Sequence, residues 1–257
     1  MSKLFVILSL ILLIMLALWI WKDYNREWRY YQRTFSALEN ESSNSVKEKK
    51  SGNRYEIKQI DLPKLNRTDR CVTCHLGVDD PTMVKVKPPY KVHPNFSQHP
   101  FNEFGGTICH LGQGRATTLK AAHGEVRYWE EPKLPLKYIQ ASCAKCHLIS
   151  NPSVAPDLVQ GMEKYKEYEC ANCHIVNGVG EKGGIDLSLA GKHRSPDWHF
   201  AHLKDSQALV PDSQMPNFGL TDEEARVLTV YLLSLRKEES TTRYLYPSQK
   251  SDISGER

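Results

Sequence analysis

The sequence has little net charge and no segment typical of a nucleic-acid-binding protein. The formal balance over 257 residues is +4. Apart from the segment that follows the N-terminal apolar run, lysine and arginine are not interleaved with aromatic residues, so no nucleic-acid partner is expected. The glycine-rich stretch GQGRAT, residues 112–117, lacks the G-x-x-x-x-G-K-[ST] pattern of a phosphate-binding loop. These absences direct attention to the apolar N-terminus and to the cysteines.

A cleavage site is missing after the apolar N-terminus. Residues 4–21 read LFVILSLILLIMLALWIW, and as a helix they would span about 27 Å, close to the ~30 Å hydrocarbon core of a membrane. A secretory signal peptide has a shorter apolar core and then a small-residue site, whereas KDYNREWRYYQRTF follows here. Trp19 and Trp21 lie where an interfacial aromatic belt is expected. The sequence predicts an uncleaved anchor over residues 1–21, with lipid contacts from residues 4–21.

The next segment, residues 22–66, is predicted to be a juxtamembrane helix and a linker. Trp28, Tyr31 and Phe35 recur at helical spacing, which gives one apolar face. That face needs a cover, and either an outside surface, of a partner or of the membrane, or this chain's own haem domain would supply it. Residues 39–53 are rich in Ser, Lys and Glu and are predicted to be a linker.

Three C-x-x-C pairs are each followed at once by histidine, in CVTCH, CAKCH and CANCH. C-x-x-C-H is the attachment signature of c-type haem, in which two thiols react with the vinyl groups and the histidine binds the iron. Zinc also uses C-x-x-C pairs, but with only ten histidines in the chain three chance matches are very rare. A disulfide framework fits poorly, because seven cysteines is an odd number and i, i+3 pairs seldom bridge. The predicted residues are Cys71, Cys74, Cys143, Cys146, Cys170 and Cys173 for attachment, and His75, His147 and His174 as proximal ligands.

A fourth motif, GTICH at residues 106–110, lacks one cysteine. Gly106 stands at the first position, while Cys109 and His110 are kept. Three bis-histidine haems between residues 71 and 147 would use His75, His110 and His147 and the three remaining histidines of that region. The sequence therefore predicts a haem held by Cys109 alone, with His110 as proximal ligand. A degenerate site with Cys109 as a buried thiol is the alternative. The predicted distal ligands are His93, His99 and His123.

The C-terminal half resembles the class I cytochrome c fold over residues 155–237. An apolar helical stripe leads into CANCH within GMEKYKEYECANCHI. A loop with the sequence QMPNF comes later, and a capping box from Thr221 to Glu224 then marks the start of a last helix. The resemblance implies His174 and Met215 as axial ligands. DWHFAHLKDSQALVPDSQMP is also similar to membrane-bound cytochrome c subunits of cbb-type oxidases and of nitric oxide reductases. The remaining histidines, His193, His199 and His202, are expected to be structural or solvated.

The N-terminal half carries a second resemblance, over residues 22–150. HPNFSQHPFNEFGGTICHLGQGRATTLKAAHG, YIQASCAKCH and DYNREWRYYQRTF are together similar to multihaem cytochrome c subunits associated with bacterial Rieske/cytochrome b quinol oxidoreductases. That pattern has a cysteine where Gly106 stands here, so one thioether is lost.

These observations predict a mainly α protein with an N-terminal transmembrane helix, a loop-rich trihaem cytochrome domain and a class I cytochrome c domain. Four c haems are expected, one of them through Cys109 alone. The predicted boundaries are 1–21 for the anchor, 22–66 for the juxtamembrane helix and linker, 67–150 for the multihaem domain, 151–238 for the monohaem domain and 239–257 for a polar tail.

The expected function is electron transfer from a quinol-oxidising cytochrome b/Rieske complex to a soluble cytochrome or a terminal acceptor, without catalysis by this chain. Methionine ligation raises a haem potential, so electrons should move towards the Met215 haem. The haem domains are placed on the periplasmic side of the cytoplasmic membrane, where c haem is attached, although the basic residues after the span favour the reverse. Two alternatives stay open: an electron-transfer subunit of a terminal oxidase or nitric oxide reductase, and an enzyme whose open iron reduces a small nitrogen or sulfur oxide.

Overall fold

The computed structural model describes residues 3–42, 55–94, 98–147 and 151–236. Within those ranges the chain is mainly helical, as predicted, and the one sheet pairs β1 (Ile60–Leu62) with β2 (Arg67–Asp69). Short 3₁₀ turns connect many of the elements. The helices are α1 (Lys3–Tyr24), α2 (Glu27–Ser42), α3 (Phe101–Phe104), α4 (Thr107–His110), α5 (Leu119–Ala122), α6 (Pro156–Glu167), α7 (Ala190–His193), α8 (Pro196–Lys204), α9 (Ser206–Leu209) and α10 (Asp222–Ser234).

Helix α1 is the membrane-spanning candidate. It has a mean hydropathy of 2.9, none of its residues is buried, and no other helix in the described ranges is long and apolar enough to cross a membrane. It continues three residues beyond the predicted end of the anchor at residue 21. The length and composition support a single-pass membrane protein.

The described chain divides into two compact units. The first contains Met1–Leu62, Thr68–Gly105 and Gly114–Ala122, and the second contains Pro63–Arg67, Gly106–Gln113 and the chain from His123 onwards. The division falls inside the segment predicted as one multihaem domain, and the predicted boundaries stay predictions. Helix α2 ends at Ser42, so it includes the first four residues of the predicted linker. The rest of that linker and the predicted polar tail lie outside the described residues.

In the first unit, the apolar face of α2 is covered by the chain itself. Trp28 and Phe35 are buried, and the Phe35 ring lies 5.9 Å from the Tyr90 ring. Met83 is buried in the same cluster, and Tyr31 packs against it. The sequence left open whether an outside surface or the chain itself covers this face of α2. In the structure, residues of the chain itself cover it.

A buried glutamine ties α2 to the CVTCH turn. The Gln32 side-chain amide donates to the Thr73 carbonyl oxygen at 3.1 Å and to the Glu56 carbonyl oxygen at 2.7 Å. Its own carbonyl oxygen accepts the Glu56 N–H at 3.1 Å. Three hydrogen bonds from one side chain satisfy the buried amide and fix the middle of the turn.

The second unit is built around α6 and α10. Gly161 of α6 lies directly against the Val227 carbonyl of α10, so the two helices approach at backbone distance. The Tyr165 and Tyr231 rings meet at 5.2 Å in the same interface. The capping box is confirmed by reciprocal hydrogen bonds between Thr221 and Glu224. The predicted apolar stripe of α10 is buried as expected, at Ala225, Leu228, Tyr231, Leu232 and Leu235.

Candidate haem sites

All four Cys-His motifs adopt the same tight backbone turn. In each, the histidine N–H donates to the carbonyl oxygen of the first motif residue, and the second cysteine N–H donates to that oxygen as well. The histidine bonds are 2.8 Å for His75 to Cys71, 2.9 Å for His110 to Gly106, 2.9 Å for His147 to Cys143 and 2.9 Å for His174 to Cys170. GTICH therefore has the turn that haem attachment uses, without the first thiol.

The backbone of Gly106 gives no reason for a glycine at that position. Its φ of −90° and ψ of −37° lie in the right-handed helical region, which every L-residue can adopt. The unusual conformation comes after the motif, where Leu111 has a φ of 60° and α4 ends. The backbone conformation at position 106 is therefore open to a cysteine.

GTICH and CAKCH pack against each other in the second unit. The Ser142 hydroxyl donates to the Cys109 carbonyl oxygen at 2.6 Å, and the Lys145 ammonium donates to the Ile108 carbonyl oxygen at 3.1 Å. The last carbonyl groups of a helix need such external donors. Residues inside and next to CAKCH thus complete the short helix that presents Cys109.

The His110 carbonyl oxygen completes this arrangement by accepting the Leu134 N–H at 2.8 Å. Leu134 is buried and belongs to the same apolar cluster as Leu111, so the end of α4 is anchored to the core of the second unit. Cys109 itself is exposed, which leaves its thiol accessible for attachment chemistry.

No disulfide joins any of the seven cysteines. Burial raises the pKa of Cys74, Cys143 and Cys170 to about 11 each. Although the Cys109 residue is exposed to solvent, the protein around its thiol partly desolvates it and raises its pKa, against the opposing charge of Lys145. The pKa of Cys71 is raised by burial and then by the Asp69 carboxylate. No three side chains of His, Cys, Asp or Glu converge as a metal-ion site in the ranges that the structure describes.

One hydrogen bond and one close glycine fix the orientation of the His174 ring. Its Nδ1 lies 2.9 Å from the Ile185 carbonyl oxygen, which only accepts, so Nδ1 carries the proton and Nε2 is left for iron. Gly184 lies so close that a Cβ there would come within 2.6 Å of Cε1 and 2.7 Å of Nδ1. The donor set of Cys170, Cys173 and an oriented imidazole therefore fits a covalently attached haem.

Met215 packs against the same apolar cluster as Cys170. Its carbonyl oxygen accepts the Ser206 hydroxyl at 2.9 Å, and its N–H donates to the Ser213 hydroxyl at 3.3 Å. These bonds fix the backbone of the methionine loop on both sides of the residue. The side chain is half-buried and also lines a groove of about 340 Å³ between α9 and the loop.

The three predicted distal histidines fall in different units. His93 and His99 lie in the first unit with CVTCH, where His93 Nδ1 is 3.0 Å from the Pro94 carbonyl oxygen and the His99 ring is 5.1 Å from the Phe104 ring. His123 lies in the second unit, where burial and then Lys133 lower its pKa. Their pairing with particular haems stays a prediction.

Helix α8 supplies a histidine that the sequence interpretation set aside. The His202 ring stacks on Trp198 at 4.5 Å, and its buried Nδ1 has no hydrogen-bond partner within the described residues. Burial and then the charge of His174 lower the pKa of His202. A buried polar atom at this position fits contact with a polar group of the cofactor. The i, i+4 spacing of Trp198 and His202 in DWHFAH is the sequence feature that could have predicted this ring contact.

His199, one turn away, has the structural role that was expected. Its Nε2 lies 3.0 Å from the Ala190 carbonyl oxygen, in a buried position. Burial is the main reason that its pKa is lowered.

Comparison with known families finds a match in the C-terminal part of the chain. Residues 136–242 match the family described as "FixO: Cytochrome C oxidase, mono-heme subunit/FixO". The match contains CAKCH, CANCH and Met215. No curated protein and no solved structure shows significant similarity to the chain. The match and the N-terminal apolar helix together support a membrane cytochrome c subunit that carries haem c and transfers electrons.

Proposed function

We propose that the chain is an electron-transfer cytochrome c subunit of a membrane-bound terminal oxidase. The observation that carries the proposal is the oriented His174 imidazole, which lies inside the segment that matches an oxidase cytochrome family. Haem c, when bound, supplies a one-electron iron couple. The chain's own residues attach the group, fix its ligands and set its potential.

At CANCH, Cys170 and Cys173 would form the two thioethers and His174 Nε2 would bind the iron. The hydrogen bond from Nδ1 to the Ile185 carbonyl fixes the tautomer and makes the imidazole a stronger ligand. Met215 would be the opposite ligand and would raise the potential. Residues 151–238 then form a class I monohaem domain.

The proposal includes four haems, although the matched family is described as mono-haem. Its support is the common turn of CVTCH, GTICH, CAKCH and CANCH. Two thioethers would form at three of the turns, and Cys109 would form the single one at GTICH. His75, His110 and His147 would be the proximal ligands of a trihaem region over residues 67–150. The haem domains are assigned to the periplasmic side, where c haem is attached.

A Rieske/cytochrome b quinol oxidoreductase is the second candidate partner, and the region outside the family match favours it. Residues 1–135 carry CVTCH and GTICH, which a mono-haem subunit would not need. Gln32 also couples the juxtamembrane helix to CVTCH through Thr73. A haem held close to the membrane in this way is suited to accept electrons from a quinol-oxidising complex.

The experiment isolates the tagged full-length chain with its complex from detergent-solubilised membranes and measures two reactions. The proposal predicts cyanide-sensitive oxygen uptake with reduced soluble cytochrome c, together with reoxidation of this chain's haems by oxygen. Reduction of the haems by quinol, blocked by an inhibitor of cytochrome b and without oxygen uptake, would assign the chain to the quinol oxidoreductase instead.

A matched pair of methionine variants separates electron transfer from assembly. Met215→Leu should leave the complex assembled and slow electron transfer through the chain by at least tenfold, because the ligand that sets the potential is lost. Met162→Leu changes a half-buried methionine of α6 and should retain the wild-type rate. Equal rates in the two variants would contradict the role given to Met215.

A further inference from the structure

Two arginines in the first half of α2 hold their guanidinium groups over the same tyrosine ring. The guanidinium carbon of Arg29 lies 5.6 Å from the centre of the Tyr24 ring, and that of Arg33 lies 5.3 Å from it. A second ring flanks each arginine: Trp28 at 5.1 Å from Arg29 and Tyr55 at 5.6 Å from Arg33. Cation–π contacts orient the side chains and leave their charge uncompensated. Two positive charges are therefore fixed on one patch, the Arg29–Arg33 patch.

Neither arginine of the patch has a carboxylate partner within the described residues. Arg26, three residues earlier, is different because its Nε pairs with Asp23 at 3.0 Å. The Nε of Arg29 and the Nη2 of Arg33 are buried and meet no acceptor in the described part of the chain. A buried N–H without an acceptor is unfavourable, and like charges on one patch repel. An anionic acceptor bound by both guanidinium groups would relieve both penalties.

The position of the patch identifies the source of that acceptor. Helix α1 ends at Tyr24 and α2 begins at Glu27, so the patch lies within two to three helical turns of the membrane span. Side chains at this depth meet the phosphates of lipid headgroups. The planar guanidinium fork matches a phosphate in geometry, and aromatic stacking is compatible with that contact.

We propose that Arg29 and Arg33, whose guanidinium groups both lie over the Tyr24 ring, bind the phosphate of an anionic phospholipid headgroup. This site would account for basic residues after the span on the side opposite to the usual charge bias. It would also hold α2 at the membrane surface, and α2 contacts the CVTCH turn through Gln32.

The test uses the full-length, haem-loaded protein in detergent, titrated with phosphatidylglycerol and observed by native mass spectrometry. The wild type should retain a phosphatidylglycerol molecule in preference to phosphatidylcholine, and salt should weaken the retention. Each arginine near a membrane surface is expected to change retention by about fivefold. Arg29→Gln/Arg33→Gln should therefore lose phosphatidylglycerol strongly, while Arg26→Gln should stay within about twofold of the wild type.

Two further arms decide what the patch recognises. Arg29→Lys/Arg33→Lys keeps both charges but loses the guanidinium fork, so it should retain less lipid than the wild type and more than the glutamine variant. If the Soret spectrum shows that the glutamine variant does not fold, the lysine variant still tests the proposal. Unchanged lipid retention in the folded glutamine variant would overturn the proposal. Displacement of the lipid by millimolar inorganic phosphate would overturn the lipid assignment in favour of a free phosphate site.

Discussion

GTICH and CANCH have the same backbone turn but different supports. CANCH carries both cysteines, and its histidine side chain is held by the Ile185 carbonyl and by Gly184. GTICH lacks the first cysteine, and its backbone is held by donors from outside the motif, including Ser142 and Lys145 of the neighbouring CAKCH region. The difference shows that the turn is specified by hydrogen bonds around the motif and does not require the first thiol. GTICH therefore forms the turn without carrying both of the thiols that haem attachment uses elsewhere in the chain.

The largest expected effect comes from removing the remaining thiol of GTICH. Cys109→Ser should eliminate one covalently bound haem completely, because the thioether at Cys109 would be that haem's single covalent bond. Intact mass under denaturing conditions measures the change, with four haem increments expected in the wild type and three in the variant. Equal masses for the two proteins would mean that GTICH carries no covalent haem.

The reverse substitution is the matched control. Gly106→Cys restores C-x-x-C-H at a position whose φ of −90° accepts a side chain. The haem count should stay at four, and one pyridine haemochrome band should shift to shorter wavelength because both vinyl groups have reacted. An unshifted band, with the introduced thiol still free, would show that GTICH does not place haem as the other turns do.

The second effect is on the potential of the CANCH site. Met215→His should lower the midpoint potential of one haem by on the order of 0.1 V or more, because thioether ligation favours reduced iron and axial ligands shift potentials over about 0.8 V. A spectroscopic redox titration should show one displaced component and three unchanged ones. A titration curve equal to that of the wild type would exclude Met215 as a ligand.

The third effect tests the support of His174. Gly184→Ala should displace the imidazole, because the new Cβ would come within 2.6 Å of Cε1. We expect a lower potential and weaker proximal ligation at this haem. Gly183→Ala is the control, since its Cβ would lie 3.6 Å from Cys173 Cα, an ordinary contact. Identical spectra and potentials for the two alanine variants would show that Gly184 does not hold the ring.

Local features of the fold could be predicted from sequence because their residues are neighbours along the chain. The apolar run predicts α1, and the Thr221–Glu224 box marks the start of α10. The contacts of Gln32 with Thr73 and of Ser142 with Cys109 join residues separated by 41 and 33 positions. No local pattern identifies such partners, and for this reason the cover of α2 stayed open between a partner and the chain itself.

The distal ligands illustrate the same limit at the candidate sites. Counting histidines gives three candidates for three haems, but it contains no information on which turn each one approaches. The structure separates His93 and His99 from His123 by unit. His202, stacked on Trp198 at 4.5 Å, has a buried Nδ1 without a partner in the described residues, which a lone histidine on a helix does not predict. Which haem each histidine would approach depends on the tertiary fold, and no local sequence pattern contains that information.

A smaller effect is expected at CVTCH, the turn supported from a distant helix. Gln32→Ala should lower the free energy of unfolding by about 1–3 kcal/mol, because the carbonyl group of buried Thr73 and the backbone of Glu56 lose their partner. Denaturant unfolding followed by far-ultraviolet circular dichroism measures the loss. Tyr30→Ala, at an exposed position of α2, should change stability by about 0.5 kcal/mol or less. A similar loss in both variants would remove Gln32 from the support of CVTCH.

The smallest expected effect is a pH-dependent change in Tm, and it concerns the contact between α6 and α10. Glu224 accepts the Thr221 N–H, and it also binds the Lys164 ammonium and the Tyr168 hydroxyl, each at 3.0 Å. These contacts, the Thr221 backbone bond first, lower the Glu224 pKa from 4.5 to about 2. A carboxyl whose pKa is lower in the folded state stabilises the fold above its unfolded pKa, and that stabilisation disappears as the pH falls through the folded pKa.

The Tm difference between the wild type and Glu224→Gln should therefore be full at neutral pH, shrink below about 4.5 and vanish near 2. Glu163→Gln, at an exposed position of α6, is the control and should keep a Tm close to that of the wild type. A constant difference for Glu224→Gln across the whole range would contradict a contribution from its ionised form.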